Sequence, residues 1–219
     1  MGGARVFCFP YPPTFYTHKG AINMINIIVE GMTASGKSTL TNLLAERLKL
    51  DVMPEEFRDN YDLLGRFHHN RKWAFPMQLN FLVTRFAQYL CALEEGNYIM
   101  DRSLFGDKVY AKLYYELGYL SDGQFGQYLN LYESLAVNVK QPKLLIHVHC
   151  NFDEIMRRIN SRGRQDEIDV GRDYWQSLYN AYESVKFPNE FNFDLSNPEF
   201  INTPEMIEKF LSDVREHLS

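Results

Sequence analysis

Gly31-Met32-Thr33-Ala34-Ser35-Gly36-Lys37-Ser38 fits the spacing G-x-x-x-x-G-K-[ST], between an apolar run at 25–29 and a helix-like run at 40–48. The glycines let the backbone curl so that its N–H groups point inward at phosphate oxygens. Lys37 is placed to reach the outer phosphates of a nucleoside triphosphate such as ATP, and the Ser38 hydroxyl to hold Mg²⁺. The helix that begins here adds the positive end of its dipole, and Thr39 follows in its first turn. Gly31, Met32, Thr33, Ala34, Ser35, Gly36, Lys37, Ser38 and Thr39 are therefore read as the phosphate-binding set. A Gly/Ser turn without a ligand would fit the same letters, but the strand before and the helix after argue for a P-loop.

Outward from this loop the pattern alternates strand and helix. Strands are predicted at 26–30, 51–53, 98–101, 143–149 and 191–194. Helices are predicted at 37–49, 73–95, 106–117, 122–139, 152–160, 171–186 and 204–217. Such alternation predicts an α/β, three-layer P-loop NTPase fold, a five-stranded parallel sheet flanked by helices. Residues 1–23 are rich in Pro, Gly and aromatics, without a period, and are expected to form a flexible N-terminal extension. Met24 stands directly before the first strand, so the P-loop domain is expected to span 24–219. Residues 160–169, with Arg162, Arg164, Asp166, Glu167 and Asp169, read as a charged loop and an arginine-rich lid.

Composition limits the partners. The net charge of −5 argues against a nucleic-acid polymer, which favours basic surfaces. No apolar stretch reaches the length of a membrane span. Cys8, Cys91 and Cys150 are odd in number, lack metal-ligand spacing, and read as reduced thiols of a cytoplasmic protein. His68-His69 resembles a metal pair but has no matching third ligand, and reads as solvated residues in a loop.

Four further constellations bear on the acceptor of the phosphate. Glu55 and Glu56 follow the second strand, at the carboxyl edge of the sheet where ligands of open α/β folds bind. A carboxylate there could take the proton of an attacking hydroxyl. Gln78, Phe81 and Arg85 share one face of the long helix, suited to hydrogen bonding and stacking on a planar ligand. Asp101-Arg102-Ser103 ends a strand, placing Asp101 to bind Mg²⁺ and Arg102 to stabilise charge on the transferring phosphoryl group. Arg158, Arg162 and Arg164 are spaced to close over the triphosphate.

Together these residues resemble the deoxyribonucleoside kinase family, which contains deoxycytidine, deoxyguanosine and bacterial deoxyadenosine kinases. The resemblance runs from about Ile25 to Lys186. It rests on the P-loop, Pro54-Glu55, Gln78 and Arg85, Asp101-Arg102-Ser103 with Asp107, and Arg158-x-x-x-Arg162-Gly-Arg164 with a following acid. It implies ATP-dependent phosphorylation of the 5′-hydroxyl of a deoxyribonucleoside, with Glu55 the base, Asp101 the magnesium ligand and alternative base, Arg102 at the 5′-oxygen, and Lys37 at the phosphates. Gln78 would pair with the base edge, and Arg85 with Asp107 would read amino-bearing bases. Glu167 would meet the sugar 3′-hydroxyl. An acid at 107 leans towards deoxyadenosine, deoxyguanosine or deoxycytidine over thymidine. The resemblance also implies a homodimer through the helices at 73–95 and 106–139, whose tyrosines 110, 114, 115, 128 and 132 otherwise read as ordinary core.

Two positions depart from the family pattern. Glu55-Glu56-Phe57 replaces the family's Glu-Pro-Val, so either carboxylate could face the nucleoside. Phe67 stands where relatives carry a tyrosine that binds the sugar 3′-oxygen; Tyr61 or His68 could serve instead, or one hydrogen bond is missing. Two other classes share the fold, a thymidylate kinase-like monophosphate kinase and a non-catalytic subunit. Lys37, Asp101 and Arg102 argue against the second. No Asn-Lys-x-Asp motif of a GTPase switch is present.

Overall fold

The computed structural model describes residues 25–53 and 59–218. Five strands, β1 (Ile27–Gly31), β2 (Asp51–Met53), β3 (Tyr98–Asp101), β4 (Leu144–His149) and β5 (Glu190–Asp194), form one sheet. All its pairings are parallel and its order is β2-β3-β1-β4-β5. The expected five-stranded α/β architecture is therefore the one that forms. β1 opens Ile-Ile-Val and β4 Leu-Leu-Ile, apolar runs without alternation, because a parallel sheet is covered on both faces.

Alternation along β1 sorts two cores. Ile27 and Val29 pack with Leu40 and Leu44 of α1 (Lys37–Leu48) and with Phe210, Leu211 and Val214 of α9 (Pro204–Leu218). Ile28 joins the opposite core. That core receives Met77 and Tyr89 of α3 (Ala74–Glu95), Leu113 of α4 (Leu104–Glu116), Ile155 and Ile159 of α6 (Phe152–Arg162), and Leu178 of α8 (Arg172–Ser184). Full burial of a Leu side chain stabilises by about 1.5–3 kcal/mol, and Leu40 and Leu44 are both fully buried. That anchorage fixes where α1 leaves the sheet. Neighbours of β1 follow it in the chain on one side by β3 and on the other by β4, so the loop after β1 opens at the point where strand order reverses.

Two short helices differ from expectation. α2 (Leu63–His69) occupies a stretch read as loop, because seven residues interrupted by Gly65 carry no helical period. It is held locally instead: Asp59 accepts from Leu63 N at 2.7 Å and from Leu64 N at 2.9 Å, capping the first turn. The expected charged loop at 160–169 is largely helical. α6 continues to Arg162, and α7 (Gln165–Asp169) follows Gly163 and Arg164. The hydrogen bond from Trp175 Nε1 to the Glu167 carbonyl, 3.0 Å, ties this highly charged turn to α8. α5 (Asp122–Ala136) opens with a Ser121/Gln124 capping box and ends sooner than expected.

Four of the five tyrosines weighed as interface residues face inward. Tyr114, Tyr128 and Tyr132 are buried, and Tyr110 lines the cleft described below; Tyr115 is exposed and stacks on Phe125 with ring centroids 4.5 Å apart. The extension expected at 1–23 lies outside the described residues, as do Glu55 and Glu56.

Candidate active site

The P-loop adopts the curled backbone its glycines call for. Gly36 has φ 107°, and a Cβ there would meet Leu195 Cδ2 at 2.5 Å, so only glycine lets the loop pass this close to the segment after β5. Ala34 is left-handed too, with φ 63°. Lys37 Nζ donates to the Met32 carbonyl at 2.9 Å, lying back along the loop it serves. Arg158 braces the loop from behind. Its guanidinium donates to the Ser35 carbonyl at 2.8 Å, to Ala34 at 3.4 Å and to Leu195 at 2.9 Å, while Nε is held by Glu154 at 2.7 Å. Arg158 thus supports the P-loop backbone and is not among the residues lining the cleft, whereas Arg162 and Arg164 are.

β3 delivers Asp101 to the start of α1. Ser38 Oγ donates to Asp101 Oδ2 at 2.5 Å, and the buried Asp101 Oδ1 has no partner among the described residues. A carboxylate and a hydroxyl brought together with an oxygen to spare suit a hard divalent cation. Next in the chain, Arg102 takes a left-handed backbone, φ 74°. Its N–H bonds the Val29 carbonyl at 2.9 Å, and its guanidinium donates to the Tyr182 hydroxyl at 3.1 Å and the Tyr110 hydroxyl at 3.3 Å.

Asp101, Arg102 and the P-loop share a cleft of about 810 Å³ with Gln78, Phe81 and Asp107. That volume suits a small organic ligand. Gln78 is buried, and its Oε1 has no partner among the described residues. Arg85 and Asp107 form a buried ion pair, Nε to Oδ2 3.6 Å, and of the two Asp107 lines the cleft. The pair joins α3 to α4. Glu167 accepts from Arg162 at 3.3 Å and from Arg164 at 3.1 Å, drawing both arginines over the cleft mouth. In a chain of net charge −5, gathering Lys37, Arg71, Arg102, Arg162 and Arg164 around one cavity points to an anionic ligand.

Phe67 is buried in the cleft wall, its ring 5.0 Å from that of Tyr114, with the Arg71 guanidinium 4.5 Å over its face. Of the two substitutes considered for a hydroxyl at 67, Tyr61 is 76% exposed and is not among the residues lining the cleft. His68 does line it, on the last turn of α2, within 4.0 Å of Asp166; burial pushes its pKa down, with Asp166 opposing. His68 is therefore a wall residue and not a solvated loop residue. Sequence reasoning also missed Arg71, on the short 3-10 turn before α3, and Tyr110, Tyr174 and Trp175, aromatic cleft residues on α4 and α8 with no distinguishing spacing. It missed Glu30, a fully buried carboxylate whose pKa is pushed up by burial, against the opposing pull of Arg102 and the Ser103 hydrogen bond. A charged residue closing an apolar strand directly before the P-loop was the available signal.

A model of the deoxynucleoside kinase family matches residues 27–219. The chain belongs to the deoxynucleoside kinase family. It is 33% identical over 163 residues to the deoxyadenosine/deoxycytidine kinase of Bacillus subtilis, covering 72% of this chain and 75% of that one. It is 32% identical over 179 residues to a deoxyadenosine kinase of Dictyostelium discoideum, covering 81% and 71%. Among solved structures, deoxyadenosine kinase from M. mycoides with dCMP and dCDP superimposes with a TM-score of 0.76 at 24% identity, over 88% of this chain and 100% of that one. The fold is the same, and the chain is a kinase, a phosphotransferase acting on nucleosides. Among the described residues no helix is long and apolar enough to cross a membrane.

Proposed function

We propose that the enzyme transfers the γ-phosphate of ATP to the 5′-hydroxyl of deoxyadenosine, deoxyguanosine or deoxycytidine in preference to thymidine. The observation that carries this reading is Asp107, held by Arg85 in a buried ion pair and lining, with Gln78, the cleft that also holds the P-loop. Gln78 offers a donor and an acceptor to a base edge, and Asp107 an acceptor for an exocyclic amino group. A methyl group at that position, as in thymidine, would press against the carboxylate and leave it unsatisfied.

Roles follow from chemistry. The P-loop N–H groups and Lys37 hold the phosphates. Ser38 and Asp101 would hold Mg²⁺, which supplies charge neutralisation at the phosphates when bound. Arg102 offsets charge developing on the transferring group and the 5′-oxygen, while Arg162 and Arg164 cover the triphosphate and exclude water. Glu55 is proposed as the base that accepts the 5′-hydroxyl proton, on the family resemblance alone. Glu167 is proposed to meet the 3′-hydroxyl. We also propose that the enzyme works in the cytoplasm as a homodimer, again by family resemblance; a monomeric mass in sedimentation would overturn the dimer. Phosphorylation of thymidine faster than of the other three deoxynucleosides would overturn the base preference.

A further inference from the structure

Glu30 is the penultimate residue of β1, its side chain on the sheet face opposite Val29 and buried beneath the first turn of α4. One carboxylate oxygen accepts from both the Ser103 N–H, 2.6 Å, and the Ser103 hydroxyl, 2.7 Å. The other lies 3.3 Å from the Gly31 N–H. A Cβ on Gly106 would stand 2.5 Å from either oxygen, so α4 rests directly on the carboxylate. Ser103 is also the N-cap of α4, accepting from Phe105 N at 3.2 Å.

Between Asp101 and Ser103 stands Arg102, whose left-handed backbone is unfavourable for a residue with a side chain. Both of its flanks are tied to β1: its own N–H to Val29, and the next residue to Glu30. Without the second tie, the turn could relax to an ordinary backbone and swing the guanidinium away from Tyr110 and Tyr182. We propose that Glu30 is a positioning residue for phosphoryl transfer, holding Arg102 in its strained conformation through Ser103.

The inference rests on Arg102 acting at the reacting phosphate. It is tested with Glu30→Gln, Ser103→Ala and Arg102→Ala, singly and with Glu30→Gln combined with Arg102→Ala. The readouts are steady-state kinetics and thermal unfolding. In Glu30→Gln the charge that strengthens both bonds from Ser103 is lost, and the amide must turn its donor towards either the Gly31 N–H or the Ser103 pair, so the tie is loosened without emptying the space. Misplacing one catalytic group predicts kcat lower by roughly 10–100-fold in Glu30→Gln and in Ser103→Ala. Both KM values should stay within about threefold, because ground-state binding is not what is lost. In the Arg102→Ala background Glu30→Gln should lower kcat by less than about twofold, since the two act through one path. The same fold loss in both backgrounds, or an unchanged kcat in Glu30→Gln, overturns the proposal. Ser103→Ala removes a single oxygen and gives the same readout should Glu30→Gln fail to fold. Normal turnover by Arg102→Ala alone would overturn the role of Arg102 instead, a distinguishable failure.

Discussion

The Ser38 hydroxyl and the Asp101 carboxylate meet at 2.5 Å, joining the first turn of the P-loop helix to the end of the neighbouring strand. The contact unites residues distant in sequence because β1 and β3 run in parallel register, Val29 beside Asp101. It leaves Asp101 Oδ1 buried and without a partner among the described residues. Asp101→Asn keeps the shape and removes the charge. It should lower kcat by about 10²–10³-fold, as loss of one electrostatic stabiliser does, and raise the magnesium concentration needed for half-maximal rate. A magnesium titration of initial rates checks both.

Arg158 holds the P-loop through carbonyls and does not touch the cleft. Hydrogen bonds from a charged group contribute about 1.5–3 kcal/mol each, so losing them should loosen the loop before any chemistry occurs. Arg158→Ala is expected to raise KM for ATP by about tenfold or more, with KM for the nucleoside nearly unchanged. Equal effects on both would place Arg158 in a general structural role.

The same network predicts a pH dependence of stability. Hydrogen bonds from Arg157, then from Arg158, outweigh burial and hold the Glu154 pKa down to about 2, from an ordinary 4.5. A carboxylate depressed on folding contributes stability that is present above its unfolded pKa and lost as pH falls through the folded one. The protein should therefore lose stability between about 4.5 and 2 in proportion to this group, and Glu154→Gln should flatten that part of the curve. Urea unfolding midpoints at several pH values measure it.

Phe67 lines the cleft with a ring at the position where the family resemblance implies a hydroxyl for the sugar. A neutral hydrogen bond is worth about 0.5–1.5 kcal/mol, so discrimination against 3′-deoxy nucleosides should be mild and should grow by that amount in Phe67→Tyr. Unchanged selectivity, read as the ratio of kcat/KM values, would count against it.

Asp107→Ala should move preference towards thymidine by about 10–200-fold, the range a single methyl-sized contact commands. It should also destabilise by about 3–5 kcal/mol, because Arg85 keeps its buried charge after its partner is gone. Competition assays with deoxyadenosine and thymidine, together with thermal unfolding, separate the two effects.

How much of this was legible in the sequence depends on the kind of signal. The P-loop was readable, since backbone curvature is written in Gly31 and Gly36, the cation in Lys37, and the strand and helix around them follow simple periods. Gln78 and Arg85 were readable because helical geometry converts a spacing into a shared face. The bracing role of Arg158 was not, because it depends on the middle of α6 meeting a loop 123 residues away. Nor was Glu30, whose partners Ser103 and Gly106 lie on another strand end and helix, brought near only by sheet register. α2 and α7 escaped because their stability comes from the Asp59 cap and the Trp175 tie, not from an apolar stripe.

The central claim is that the phosphate acceptor is a deoxynucleoside hydroxyl with an amino-bearing base. Transfer of label from γ-labelled ATP, measured across the four deoxynucleosides and their monophosphates under one set of conditions, tests it most directly. The account predicts labelled monophosphates from deoxyadenosine, deoxyguanosine or deoxycytidine ahead of thymidine. Faster labelling of the monophosphates than of the nucleosides would contradict it.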